Sequence, residues 1–192
     1  LPVQPILWRK IDSSGLEYCQ VQAYYGGWQI EGTALFTVAA AAAQVRYSVV
    51  CDNFWRTRKV EVHAKIGLNE QQLQLTVDQR QRWWLAGREL EPVRGCSDVD
   101  LGFSPATNTL PIRRLRLAVG QKSNLTAAWV RFPELEIEPL PQQYTRLAEN
   151  RYKYESGNGR FETEIEVDQH GLITHYPNGW QRVTSDNLTI GI

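Results

Sequence analysis

Asp98 and Asp100 stand two residues apart, so in an extended segment both carboxylates face the same side. A carboxylate pair whose pKa values are split by environment can run acid–base hydrolysis of a glycosidic bond. Cys96 lies just upstream, in Arg94-Gly-Cys-Ser-Asp98, where it could attack an ester. A nucleophilic thiol needs a base to hold its thiolate. The histidines that could serve, His63, His170 and His175, are remote in the chain. His63 falls on the polar face of a strand and His170 in a turn, and their spacing matches no metal-ligand pattern. No metal or other cofactor is expected. The G-x-S-x-G, P-loop, G-x-G-x-x-G and H-E-x-x-H motifs are all missing.

Arginines give these acids a different role. No acidic residue occurs from Leu101 to Phe132, yet the stretch holds Arg113, Arg114, Arg116, Lys122 and Arg131. Guanidinium groups taken out of water need carboxylates in fork geometry. Asp98, Asp100, Arg113 and Arg114 are therefore expected to form a buried ion-pair network. The alternative is a local cationic pocket for an anionic group. Seven tryptophans add a recognition surface, with Trp55-Arg56 and Arg82-Trp83 as neighbours suited to stacking on sugars or lipid headgroups. Trp83 and Trp84 must face opposite sides of a strand, which leaves Trp84 free to be exposed.

The elements that position these residues are strands. Val60, Val62, Ala64 and Ile66 alternate with Lys59, Glu61, His63 and Lys65, and Phe161–Asp168, Gln72–Val77 and Arg151–Tyr154 alternate likewise. One dry face and one wet face per run predict antiparallel strands covering a core on one side. Less regular strand-like runs cover Ile6–Ile11, Leu16–Tyr24, Trp28–Val38, Gln44–Asp52, Ala127–Phe132, Tyr144–Arg151 and Gly171–Tyr176. Gly26-Gly27, Gly157-Asn158-Gly159, Gln169-His170-Gly171 and Asn178-Gly179 supply hairpin turns. Well over a dozen short strands follow, in one mainly β domain spanning 1–192. The best place for a helix is Thr107–Leu115, capped by Asn108 or Thr109, with Pro111 in its first turn. Leu115, Leu117 and Val119 alternate, so a strand is expected directly after it. Leu75-Thr-Val-Asp78-Gln79 faintly echoes Ile165-Glu-Val-Asp168-Gln169.

Composition excludes several classes of function. With 21 basic and 21 acidic residues in 192, the chain has no formal net charge, which argues against nucleic acid as a partner. Its apolar runs fall short of the roughly 18–20 residues of a membrane helix. Leu1–Pro5 has neither the basic head nor the apolar middle of a secretory signal. Three cysteines, Cys19, Cys51 and Cys96, form no CxxC pair, and the odd count predicts a reducing, cytoplasmic setting.

The run Gly95–Leu115, GCSDVDLGFSPATNTLPIRRL, resembles the signature of the bacterial glycolipid-binding family, formerly a domain of unknown function. Tyr47–Asp52 with Trp55–Arg58, Phe132-Pro133, Gln143–Thr145 and Asp168–Pro177 are similar to it in the same order. The matching positions singled out are Asp52, Trp55, Arg58, Asp98, Asp100, Asn108, Arg113 and Arg114. The resemblance implies a spiral β-roll, a many-stranded curled sheet wrapped around one short helix, and a homodimer. It brings no catalytic residues.

Three functions are thus in play. The first is non-catalytic binding of a glycolipid or similar amphipathic small molecule. An apolar trough would take the acyl chains, and Trp55, Arg58, Trp84, Asn108, Arg113 and Arg114 would hold the head. The second is a hydrolase acting through Asp98 and Asp100 or through Cys96. The third is a dimeric interaction module with no small ligand.

Overall fold

The computed structural model describes residues 5–177 and 179–183. Its frame is one continuous sheet of 15 strands. In chain order these are β1 (Ile6–Lys10), β2 (Gly15–Tyr24), β3 (Gly27–Val38), β4 (Ala41–Asp52), β5 (Thr57–Ile66), β6 (Asn69–Val77), β7 (Trp83–Leu85), β8 (Arg88–Glu89), β9 (Val99–Leu101), β10 (Lys122–Val130), β11 (Ile137–Ala148), β12 (Arg151–Ser156), β13 (Phe161–Val167), β14 (Ile173–Tyr176) and β15 (Trp180–Arg182). Strands β1 to β8 form one meander and β10 to β15 a second. The two are fused where β1 pairs antiparallel with β15, and the Trp8 indole N–H donates to the Ile173 carbonyl at 2.7 Å across that seam.

Hairpin chemistry explains the meanders, since tight turns can join only antiparallel neighbours. Gly26 and Gly159 adopt the positive φ those turns require. The exception is β9, which runs parallel to β10 and so needs a crossover. A 3₁₀ turn at Ala106–Asn108 and the helix α1 (Thr109–Leu115) supply it. Four successive helix residues, Thr109 to Ile112, are buried, so the first turn of the rod is enclosed on all sides, while Arg113, Arg114 and Leu115 are half-buried. Asn108 precedes α1 without a side-chain cap. Its amide instead donates to the Tyr144 hydroxyl at 2.8 Å, and the Thr109 hydroxyl donates to the Gly171 carbonyl at 3.0 Å.

The strand expected at Leu115–Val119 does not form. Arg116 is left-handed (φ 49°), which stops α1, and β10 begins only at Lys122. The echo between Leu75–Gln79 and Ile165–Gln169 is a shared turn, and Asp52 makes a third copy. In each, the aspartate Oδ1 accepts the backbone N–H groups two and four residues on: Phe54 and Arg56 for Asp52, Arg80 and Arg82 for Asp78, His170 and Leu172 for Asp168. Each Oδ2 takes an arginine: Arg58, Arg82 and Arg182 in turn. The fourth residue of each turn, Trp55, Gln81 or Gly171, has positive φ. The expected turn at Asn178-Gly179 includes Asn178, which lies outside the described residues.

The Gly95–Asp98 segment sews the two ends of the sheet together. The Cys96 carbonyl accepts the Trp83 indole and the Gln81 amide, Thr57 N–H donates to the Ser97 carbonyl, and Val99 N–H donates to the Thr57 hydroxyl. Bonds from β5, β7 and the β6–β7 turn thus converge on the run into β9, which explains the curl. The inner face carries a continuous core that includes Trp8, Ile30, Val49, Leu75, Trp83, Leu101, Leu110, Tyr144 and Ile165.

Candidate ligand-binding cleft

The expected ion-pair residues divide. Asp98, on the run into β9, is almost fully buried, and both its oxygens bond Arg114, with Nε at 3.0 Å and Nη2 at 2.5 Å. Burial raises the Asp98 carboxyl, and Arg114 opposes that rise by hydrogen bond and charge. Arg113 does not join this pair. Neighbouring helix residues point about 100° apart, and Arg113 lies over the Trp55 ring at 5.2 Å instead. Trp55 is itself stacked on Trp28 at 4.8 Å. Asp100 does not meet an arginine either. Its Oδ2 accepts the Gln142 amide at 2.6 Å and the Tyr154 hydroxyl at 3.5 Å.

The other candidates are placed apart. Arg58 bonds Asp52, the Asp78 carbonyl and Gln81, and thereby ties two of the aspartate turns together. Trp84 is partly buried, with the Arg82 guanidinium over its ring at 5.4 Å. Cys96 is buried among apolar groups, which push its thiol up to about 11, away from the thiolate a nucleophile needs. Asp98 has both oxygens committed to Arg114, so the two-carboxylate arrangement is not presented to a substrate. Among the described residues no group of three or more His, Cys, Asp or Glu is placed to hold a metal ion.

Asp100 opens elsewhere, onto a cleft of about 440 Å³ at the seam of the two meanders. That size suits a small ligand. Its walls come from both ends of the chain: Lys10 from β1, Trp180 from β15, Tyr176 from β14, Phe161 from β13 and Tyr154 from β12, with Asn108 and Ser104 below α1. Phe161 and Tyr176 are stacked at 6.4 Å, and Tyr154 meets each of them edge-on. Lys10 sits 5.0 Å over the Trp180 ring. Burial pushes the Asp100 carboxyl up to about 6, against the lowering effect of its bonds to Gln142 and Tyr154. Gly102 forms part of the opposite wall, and a Cβ there would lie 2.6 Å from the Trp129 indole nitrogen.

Of the sequence candidates for holding a ligand, only Asn108 reaches this cleft. The aromatic residues around it were each visible as strand residues, but nothing local showed that β1 would lie beside β15. A larger groove of about 680 Å³ crosses the outer face of β4 to β6. It is lined by alternating polar residues such as Arg46, His63 and Gln72, the ordinary wet face of a sheet.

Sheet, helix and cleft define a curled-sheet β protein with an aromatic-lined cleft at its seam. The chain belongs to the family described as "Putative glycolipid-binding", whose profile matches residues 5–182. Among solved structures it is similar to a DUF1089 family protein from Pseudomonas aeruginosa, known from a 1.80 Å crystal structure. The two are 33% identical, with a TM-score of 0.81 over 92% of this chain and 95% of that one. Comparison with curated proteins finds no match. No helix among the described residues is long and apolar enough to cross a membrane.

Proposed function

We propose that the chain is a single non-catalytic domain that binds the sugar head of a glycolipid or a similar amphipathic molecule in the Asp100 cleft. The observation that carries this reading is a carboxylate half-open among stacked aromatic rings. Aromatic faces cover the C–H faces of a sugar, and carboxylate and amide oxygens take its hydroxyl protons. Oδ2 of Asp100 is occupied by Gln142 and Tyr154, which fix the group and leave Oδ1 for a ligand.

The orientation reverses the expectation of an apolar trough with cations at its mouth. The interior is filled by α1 and the core, so the head enters and the tail runs out past Phe161, which is 44% exposed. A homodimer remains part of the reading. A row of exposed apolar residues, Leu7, Tyr18, Leu16 and Leu35, lies on neighbouring strands β1 to β3 and would serve as its contact. Three buried, unpaired cysteines support a reducing, cytoplasmic setting.

The experiment is titration of n-octyl glucoside, galactoside and mannoside below micelle concentration, followed by tryptophan fluorescence and calorimetry. Saturable binding by at least one of them, lost in Asp100→Ala and Trp180→Ala, is expected. No saturable binding by any of the three, or binding that both variants retain, overturns the reading.

A further inference from the structure

Another concavity, of about 380 Å³, lies at the other end of β12, and it shares no lining residue with the aromatic cleft. Three arginines converge on it from different elements: Arg113 from α1, Arg116 just after it, and Arg146 from β11. Among the described residues none of the three makes an ion pair. Arg146 donates to the backbone carbonyls of Leu117, Ala148 and Glu149, which anchor its side chain but leave its charge uncompensated. Arg113 stacks on Trp55, and stacking occupies a face of the guanidinium but none of its N–H donors. Its Nε is buried and has no acceptor.

The acids nearby do not cancel this charge. Asp168 is committed to Arg182 and to its own turn. Glu149, on the rim, is the carboxylate left to face three guanidinium groups. Arg113 and Arg146 are partly buried, and partly buried cations with unfilled donors need oxygen acceptors. We propose that this pocket binds a compact oxyanion of the phosphate or phosphate-monoester class, held by Arg113, Arg116 and Arg146. The helix C-terminus disfavours an anion by a fraction of a charge, which three full positive charges outweigh. The Asp168–Gly171 turn sets the pocket's shape, because the Gly171 carbonyl bonds Thr109 and a Cβ at Gly171 would come within 3.2 Å of Ile112 and 3.3 Å of Arg113.

Inorganic phosphate titrated by calorimetry and ³¹P NMR tests this. Saturable binding is expected, weakened about tenfold or more in Arg116→Gln and in Arg113→Gln, as for loss of a charge-assisted bond, and tightened in Glu149→Gln. The Arg116 side chain is exposed and makes no hydrogen bond or ion pair among the described residues, so its variant keeps the test valid if Arg113→Gln unfolds. Octyl glycoside binding should be unchanged in Arg116→Gln, which separates failure here from failure of the sugar cleft. Phosphatidic acid in phosphatidylcholine vesicles, set against phosphatidylcholine alone, distinguishes the source. Retention that depends on Arg116 marks a lipid headgroup, and phosphate binding without vesicle retention marks a free phosphate. Absence of saturable phosphate binding, or an affinity indifferent to Arg116→Gln, overturns the proposal.

Discussion

Glu17 and Ser104, 87 residues apart in the chain, share a 2.5 Å hydrogen bond in the dry interior. The Tyr47 hydroxyl donates to the same Glu17 oxygen at 2.5 Å, while the second oxygen, Oε2, is buried without a partner. Desolvation pushes the carboxyl up to about 7, against the lowering effects of Ser104, Tyr47 and Lys10. The folded state therefore holds this proton more tightly than the unfolded chain does. Its contribution to stability is complete below the unfolded value near 4.5 and is lost as pH rises through 7. Between pH 4.5 and 8 the parent should lose about 3 kcal/mol that Glu17→Gln does not lose. Urea denaturation of both proteins at the two pH values checks this, and parallel pH profiles would contradict it.

Among the described residues, Asp98 and Arg114 form the one ion pair whose carboxylate is withdrawn from solvent almost entirely, with 1% side-chain exposure on Asp98 and 18% on Arg114. Removing either partner strands the other. Asp98→Ala should destabilise the protein by about 3–5 kcal/mol. The double variant Asp98→Leu with Arg114→Met should recover much of that loss, because no unpaired charge remains. A chemical-denaturation cycle checks both, and a single-variant cost under about 1 kcal/mol would show that water screens the pair.

Why the sequence disclosed the pair but not its membership is a matter of geometry. Strand alternation predicts Asp98 and Asp100 on one face, but only Asp100 lies within β9, and the two carboxylates meet different partners. The partner of each depends on what lies opposite. Asp98 faces α1, whereas Asp100 faces Gln142 and Tyr154 on strands far along the chain. Arg113 and Arg114 are adjacent in sequence, but the helical twist sends one to a tryptophan stack and the other to a carboxylate. The strands were legible because one-sided burial writes period two into the residues. The cleft was not, because its walls run from Lys10 to Trp180 and depend on the pairing of β1 with β15. The alternation of Leu115, Leu117 and Val119 misled because a left-handed Arg116 breaks the chain direction there.

The three aspartate turns make a separate expectation. Asp168 Oδ1 holds two backbone N–H groups and Oδ2 holds Arg182, which ties the turn after β13 to β15. Asp168→Ala removes all three bonds and should cost about 2 kcal/mol. Asp168→Asn, which keeps an acceptor oxygen for the turn but loses the charge, should cost roughly half as much. Thermal unfolding at pH 7 ranks them, and equal losses would show that the charge on Arg182, rather than the turn, is what matters.

Recognition in the aromatic cleft should depend on pH through Asp100. Burial raises this carboxyl to about 6. Only its ionised form offers two acceptor oxygens, one for the Gln142 and Tyr154 bonds and one for a ligand hydroxyl. Protonation turns one oxygen into a donor and takes an acceptor from the site. Affinity for an octyl glycoside should therefore be level above pH 7, fall through pH 6, and level off at the weaker binding of the protonated form. Asp100→Asn has one acceptor at every pH. Its binding should be weaker at pH 7.5 and nearly flat down to pH 5, where parent and variant converge. Calorimetric titrations at half-unit intervals check this. A parent profile as flat as that of Asp100→Asn would mean that the carboxylate does not touch the bound sugar.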